Sequence, residues 1–205
     1  EPKPIVMALG TGRTLRAAVE ALRRMDCRQH KLVSLLGNIA PDGSASAYDV
    51  IMRIGDKVNA PHYPTPMPVI ASSPEERDRF NALEPVRRWR RLAQRAEVTV
   101  VGIGQMDDTA PIYTDGFISH DELLSMRRAG AVGEIVGWAY DSQGRYLEYG
   151  SNLRVSAVPV DPQTGSLVIC IAAGEIKLPA LRGALSGGLF NALITDAVTA
   201  RALLA

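Results

Sequence analysis

Ile5-Val6-Met7-Ala8-Leu9-Gly10-Thr11-Gly12-Arg13-Thr14-Leu15 joins an apolar run to a glycine turn and then to a helical pattern that continues at Ala18, Val19 and Leu22. A buried strand that ends in glycines and passes straight into a helix is the opening unit of an α/β sheet. A second apolar run, Leu32-Val33-Ser34-Leu35-Leu36, ends at Gly37-Asn38. With a helix between them, the two runs make a right-handed βαβ crossover whose strands lie parallel. The expected fold is therefore α/β and Rossmann-like, a mostly parallel sheet with helices on both faces.

The rest of the chain extends this pattern. Val50, Ile51, Ile54 and Val58 mark a further helix, and Pro61-His62-Tyr63-Pro64-Thr65-Pro66-Met67-Pro68 reads as an ordered, non-helical connection. Pro74 to Ala96 reads as helical with a break near Pro85. Arg87, Arg88, Arg90, Arg91 and Arg95 cluster there, but Glu75, Glu76, Asp78 and Glu84 offset them, so a solvated or subunit-facing helix is expected rather than a nucleic-acid contact. Val98 to Val101 is a strand ending in a second glycine turn, Gly102-Ile103-Gly104-Gln105. Ser119 and Glu122 have capping-box spacing at the start of a helix that runs through Arg128 and closes at Gly130. Ile135 to Tyr140, Val155 to Val160 and Leu167 to Ala172 read as short strands, separated by turns at Asp141 to Gly144 and Asp161 to Gly165. Leu178 to Leu185 is helical, Ala192 to Ile194 a strand, and Asp196 caps a last helix to Leu204.

Composition bounds the function. A chain of 205 residues suits one core with at most a small appended lobe. With 46% hydrophobic and 22% charged residues it has the make-up of a folded globular domain. A formal net charge of +1 is too small for a domain that grips nucleic acid by its overall field. Cys27 and Cys170 lie in unlike contexts, so no disulfide and a reducing compartment are expected. No run approaches a membrane span, and Glu1-Pro2-Lys3-Pro4 has no signal pattern, which points to a cytoplasmic protein without membrane contact. The first strand begins at Ile5 and leaves no room upstream for a helix-turn-helix. Either the protein does not bind DNA or the chain is a fragment of one that does.

Three apolar runs end in glycine turns, Gly10 to Thr14, Gly37-Asn38 and Gly102 to Gln105, and in an open parallel sheet such turns should meet around one ligand crevice. The first turn can aim backbone N–H groups and a helix N-terminus at an anion, with Thr11 and Thr14 adding hydroxyls and Arg13 a charge. It is neither the dinucleotide fingerprint, because Leu15 stands where the third glycine belongs, nor a P-loop. Taken alone it reads equally as a phosphate site or as a tight turn. Lys177, between an apolar strand and a helix, can pair a phosphate, form an imine if burial lowers its pKa, or simply sit on the surface. Glu134 is open to the same two readings, sugar-hydroxyl acceptor or solvated strand end. His30, His62 and His120 lack metal-ligand spacing, and no nucleophile elbow is present, so neither metal, cofactor nor catalytic nucleophile is expected.

The joint order of these pieces resembles a known family. Leu9-Gly10-Thr11-Gly12-Arg13-Thr14-Leu15, Leu36-Gly37-Asn38, Tyr63-Pro64-Thr65-Pro66 and Val101-Gly102-Ile103-Gly104 are followed by Gly130-Ala131-Val132-Gly133-Glu134-Ile135-Val136-Gly137, Tyr140-Asp141-Ser142-Gln143-Gly144 and Ala173-Gly174-Glu175-Ile176-Lys177. The closing stretch from Ala180 to Asp196 is the most specific. Together they resemble the C-terminal sugar-binding domain of SorC/DeoR-type transcription regulators. The resemblance implies a fold similar to sugar-phosphate isomerases and glucosamine-phosphate deaminases. It implies that residues 1–205 are an effector-binding domain for a phosphorylated sugar, that the protein forms a homodimer or homotetramer, and that operator DNA is held by an N-terminal helix-turn-helix outside this chain. By the same resemblance Gly10, Thr11, Gly12 and Thr14 form the phosphate cradle. Gly37, Asn38, Gly102, Gly104 and Gln105 then line the crevice, and Glu134 and Lys177 contact the sugar. Two departures stand out: Ala173-Gly174-Glu175 replaces the usual Ala-Gly-Gly, and Gln105 occupies a position where a small hydroxyl residue is common. The competing reading is an isomerase or deaminase, for which Glu134 is the single candidate base among the turns.

Overall fold

The structure is a computed structural model that describes residues 3–40, 42–44, 50–161 and 165–205. In chain order its elements are β1 (Val6–Leu9), α1 (Arg13–Ala21), β2 (Lys31–Ser34), α2 (Ile51–Val58), β3 (His62–Tyr63), α3 (Pro74–Ala82), α4 (Glu84–Gln94) and β4 (Val98–Val101). They continue with β5 (Gly104–Gln105), α5 (Pro111–Thr114), α6 (His120–Arg128), β6 (Gly133–Ile135), β7 (Trp138–Tyr140), β8 (Leu167–Ile171), α7 (Leu178–Ser186), β9 (Ala192–Ile194) and α8 (Ala197–Leu204). Among the described residues, six strands form a sheet in the order β3-β2-β1-β4-β8-β9, every neighbouring pair parallel. This is the doubly wound Rossmann-like order, and it reverses direction between β1 and β4.

The pleat divides the side chains of this sheet between two cores. Ala8, Val33, Val101, Val168 and Cys170 face Val86 and Trp89 of α4 and Leu181 and Ala184 of α7. The Trp89 indole N–H donates to the Ser34 carbonyl at 2.8 Å, which pins α4 on the sheet. On the opposite face Leu9 and Leu32 are covered by Leu15 and Val19 of α1 and by Ile51, Ile54 and Val58 of α2. Helix α2 packs tightly enough that a Cβ on Gly55 would stand 2.2 Å from His62 Nδ1.

A small lobe is inserted between β4 and β8. Its antiparallel sheet β5-β6-β7 and helices α5 and α6 enclose Met106, Ile112, Ile118, Leu123 and Met126. Helix α6 starts with the capping box read from Ser119 and Glu122, and Asp196 caps α8 by accepting from the Thr199 N–H. The Tyr140 hydroxyl donates to the Ala180 carbonyl at 3.0 Å and ties the lobe to α7.

Several sequence readings change. Ile135 to Tyr140 is not one strand but part of a hairpin, because Val136 at φ 49 and Gly137 at φ 88 turn the chain between β6 and β7. Val155 to Val160 forms no ladder strand. It is largely buried but irregular, bent at Ala157, and spends its N–H groups on irregular segments, Ser156 on the Val69 carbonyl and Val158 on that of Leu35. The proline-rich connection contributes β3 to the sheet edge, and the second glycine turn contributes β5 to the lobe. In the arginine cluster, Arg88 and Arg91 pair with Glu84 while Arg90 donates to the Ser156 carbonyl. Positions 162–164 of the turn from Asp161 to Gly165 lie outside the described residues.

Candidate functional site

At the switch between β1 and β4, where neighbouring loops diverge, the fold opens a crevice of about 330 Å³. Thr11, Gly12, Arg13, Thr14 and Leu15 form one wall at the start of α1, and Gly102, Ile103, Gly104 and Gln105 form another beyond β4. Gly12 is the N-cap of α1 at φ 122 and ψ 169, and no side chain caps this helix. Its first-turn N–H groups and the positive end of the helix dipole thus face the crevice in the arrangement that favours an anion.

Opposite this helix end lie Glu134 of β6 and Lys177, the last residue of a 3₁₀ turn over Glu175–Lys177. Burial pushes the Glu134 carboxyl up, opposed by the hydrogen bond from the Gly137 N–H at 2.7 Å and by the Lys177 charge. Burial pushes the Lys177 ammonium down, opposed by Glu134, and its Nζ donates to the Ile103 carbonyl at 2.6 Å. Each desolvated charge therefore leans on the other. Gly104 is required beside them, since a Cβ there would stand 2.0 Å from Glu134 Oε1.

The Gln105 amide is oriented by its surroundings. Nε2 donates to the Thr109 carbonyl and Oγ1, and the Thr109 hydroxyl commits its own proton to Asp107 at 2.6 Å, so it can only accept. Oε1 is left buried without a protein partner among the described residues. At the mouth, Arg13 pairs with Asp115 of the lobe at 3.3 Å.

Nine of the twelve residues selected from sequence line the crevice: Thr11, Gly12, Arg13, Thr14, Gly102, Gly104, Gln105, Glu134 and Lys177. Gly10 stands behind the lining, where a Cβ would meet Val136 and Val101 at 3.2 and 3.3 Å. Gly37 and Asn38 do not line it, although Leu36 does. Strand β2 ends at Ser34, and the following chain turns onto the segment around Thr65 and Met67. A Cβ on Gly37 would lie 1.9 Å from the Met67 carbonyl oxygen, so this glycine serves close backbone packing. Gly37→Ala should accordingly cost about 1–3 kcal/mol of stability in urea unfolding while leaving ligand affinity unchanged. A loss of affinity exceeding the loss of stability would return Gly37 to the site. Sequence reasoning missed Asp115, Phe117 and Ile112. The available signal was Pro111 at the first turn of α5 and Gly116, at φ 79, closing the loop after it.

Residues 2–205 match the family described as "Putative sugar-binding domain". The chain belongs to this family. The sugar-binding domain is 35% identical over 199 residues to the erythritol catabolism regulatory protein EryD of Brucella abortus, the match covering 97% of this chain and 63% of that protein. It is 31% identical over 205 residues to the transcriptional regulator LsrR of Klebsiella pneumoniae, covering 98% and 61% of the two. The domain thus spans less than two thirds of the length of these curated relatives. The full-length sorbitol operon regulator SorC of Klebsiella pneumoniae has the same fold, with a TM-score of 0.89 and 23% identity over 100% of this chain and 68% of that one. Of the two positions at which the sequence departs from the resemblance, Glu175 is exposed and absent from the crevice lining, whereas Gln105 sits within it. Among the described residues, no helix is long and apolar enough to cross a membrane.

Proposed function

We propose that this domain is the effector-binding part of a transcription regulator and that its effector is a phosphorylated sugar or polyol. The observation that carries the reading is one crevice with an uncapped helix N-terminus on one wall and the Glu134–Lys177 pair on the other. The phosphate would lie on the N–H groups from Gly12 to Thr14, helped by the Thr11 and Thr14 hydroxyls and by Arg13. Hydroxyl groups would reach Glu134, Lys177 and the unpartnered Gln105 Oε1, whose acceptor capacity calls for an O–H donor. EryD is named for erythritol and SorC for sorbitol, and small polyhydroxylated ligands are the chemistry the two names share. In this reading the effector modulates a homodimer or homotetramer and, through a reading head outside this chain, its hold on operator DNA.

The enzymatic alternative, isomerase or deaminase, requires a carboxylate poised as a base over the substrate. Glu134 instead accepts from the Gly137 N–H within the field of the Lys177 charge, and Asp115 is paired with Arg13.

Phosphorylated and dephosphorylated forms of the same sugars, compared by thermal shift, test the proposal. At a hundredfold excess over Kd a matching phosphate should contribute about 2.7 kcal/mol, or roughly 5–11 °C in a domain of this size, without turnover. Equal shifts from the dephosphorylated forms, or product formation, would count against it.

A further inference from the structure

Arg13 and Asp115, 102 positions apart, meet across the crevice from two separately built parts of the fold. Arg13 is the first residue of α1, directly after the N-cap Gly12, so its side chain starts beside the N–H groups of the helix end. Asp115 stands at the C-terminal end of α5 in the inserted lobe. The lobe fixes its backbone, because the Asp115 N–H donates to the Pro111 carbonyl and Ile112 and Ile118 on either side are buried in the lobe core. The Asp115 side chain is 20% exposed and that of Arg13 60%. The carboxylate is thus held in place, while the guanidinium rides on a long, largely solvated arm that can turn.

The crevice lining carries two cations, Arg13 and Lys177, and two carboxyl groups, Asp115 and Glu134. Lys177 is committed inward, its Nζ donating to the Ile103 carbonyl in the field of Glu134. An arriving phosphate therefore meets no surplus cation and must take one from a carboxylate. Arg13 is the one that can be taken, since an exposed ion pair is weak and a dianion offers a guanidinium more charge than a carboxylate does. The two cations also lie within each other's field: the Lys177 ammonium, pushed down by burial, is pushed down further by the Arg13 charge. A phosphate between them would be held from both sides.

We propose, on the reading that a phosphate seats on Gly12 to Thr14, that Asp115 sets the crevice's response to charged ligands by holding Arg13 until the phosphate replaces it at the guanidinium. A neutral polyol can occupy the crevice and leave the pair intact. A phosphorylated one breaks the side-chain tie between the lobe and α1, so the lobe registers the ligand's charge as well as its hydroxyl groups. The tie from the Tyr140 hydroxyl to the Ala180 carbonyl involves no charge and persists through the exchange. Asp115 therefore acts as a specificity-determining residue that opposes phosphate binding, although it lines the same crevice.

Inorganic phosphate and, as a neutral polyol, glycerol are titrated into the 205-residue chain and followed by NMR at the Gly12 to Thr14 amides and the Asp115 carboxyl carbon. Phosphate should move both sets of signals in the parent protein, and glycerol should leave the Asp115 carbon where it is. Asp115→Asn, which keeps the shape of the side chain, should bind phosphate about 5-fold or more tightly and leave the response to glycerol unchanged. Arg13→Gln, at a largely exposed position, should weaken phosphate about 5-fold or more and suppress the response of the Asp115 carbon. If phosphate moves the amides but Asp115→Asn binds it no more tightly than the parent, or the Asp115 carbon stays still, the exchange is overturned and the phosphate seat stands. Amides that ignore phosphate would remove the seat and the exchange together.

Discussion

Gly12→Val is expected to reduce the affinity for a phosphorylated sugar at least about 100-fold while the fold persists. Gly12 sits at φ 122 and ψ 169, and nothing lies within 4 Å of a Cβ placed on it. Crowding within the protein is therefore not the objection. The conformation is one that L side chains rarely adopt, so valine would swing the peptide planes that aim the first N–H groups of α1 into the crevice. The isopropyl group would also occupy space on the crevice wall that the proposed phosphate needs. The backbone conflict should cost about 1–3 kcal/mol of stability, which a melting curve without ligand measures separately from binding. Unchanged calorimetric affinity in a folded Gly12→Val protein would remove the anion from this helix end.

Lys177→Ala should weaken the same ligand by about 1.5–3 kcal/mol, roughly 10- to 150-fold, the range of a charge-assisted hydrogen bond. Its ammonium is fixed on the Ile103 carbonyl next to Glu134, so part of the loss would come from leaving that buried carboxyl without its cation. Lys177→Arg should restore only part of the affinity, because a planar fork does not replace a compact ammonium in a shaped pocket. A depressed lysine pKa also permits an imine with an aldehyde-bearing sugar. Borohydride in the presence of such a sugar would then leave a permanent mass adduct on Lys177, whereas a hydrogen-bonded ligand would leave none.

The two shifts have opposite signs in linkage. Glu134, raised in the fold, contributes stability below the ordinary carboxylate range and loses it as pH rises through its folded value. Lys177, lowered in the fold, contributes stability above the ordinary lysine range and loses it as pH falls through its folded value. Burial thus disfavours the charged form of each group, and a ligand that hydrogen-bonds to that form can offset the cost. Glu134→Gln should remove this group's share of the pH dependence, so that the ligand-free melting temperature falls less between about pH 5 and pH 8 than in the parent protein. The same pH dependence in the variant and the parent would contradict a raised Glu134 carboxyl.

Much of this was legible because it rests on local chemistry. The passage from Leu9 through Gly12 to Leu15 specifies strand, turn and helix within a few residues, and the Ser119 and Asp196 caps are set by hydrogen bonds spanning three positions. What stayed hidden depends on distant partners. The turn at Val136-Gly137 could not be read because a β-branched residue at positive φ contradicts propensity, and it persists where the Glu134 carboxylate holds the Gly137 N–H. Asp115 reaches the crevice by meeting Arg13, 102 positions away, through a lobe with weak periodicity. Gly37 reads like the other strand-end glycines, yet its role is set by the Met67 carbonyl, which no local pattern announces.

The most direct measurement is a crystal structure of this chain with the sugar phosphate that stabilises it best. The account predicts phosphate oxygens within about 3 Å of the Gly12 to Thr14 backbone nitrogens, with sugar hydroxyls on Glu134, Gln105 and Lys177. A phosphate bound elsewhere, or a ligand that leaves the first turn of α1 uncontacted, would contradict it.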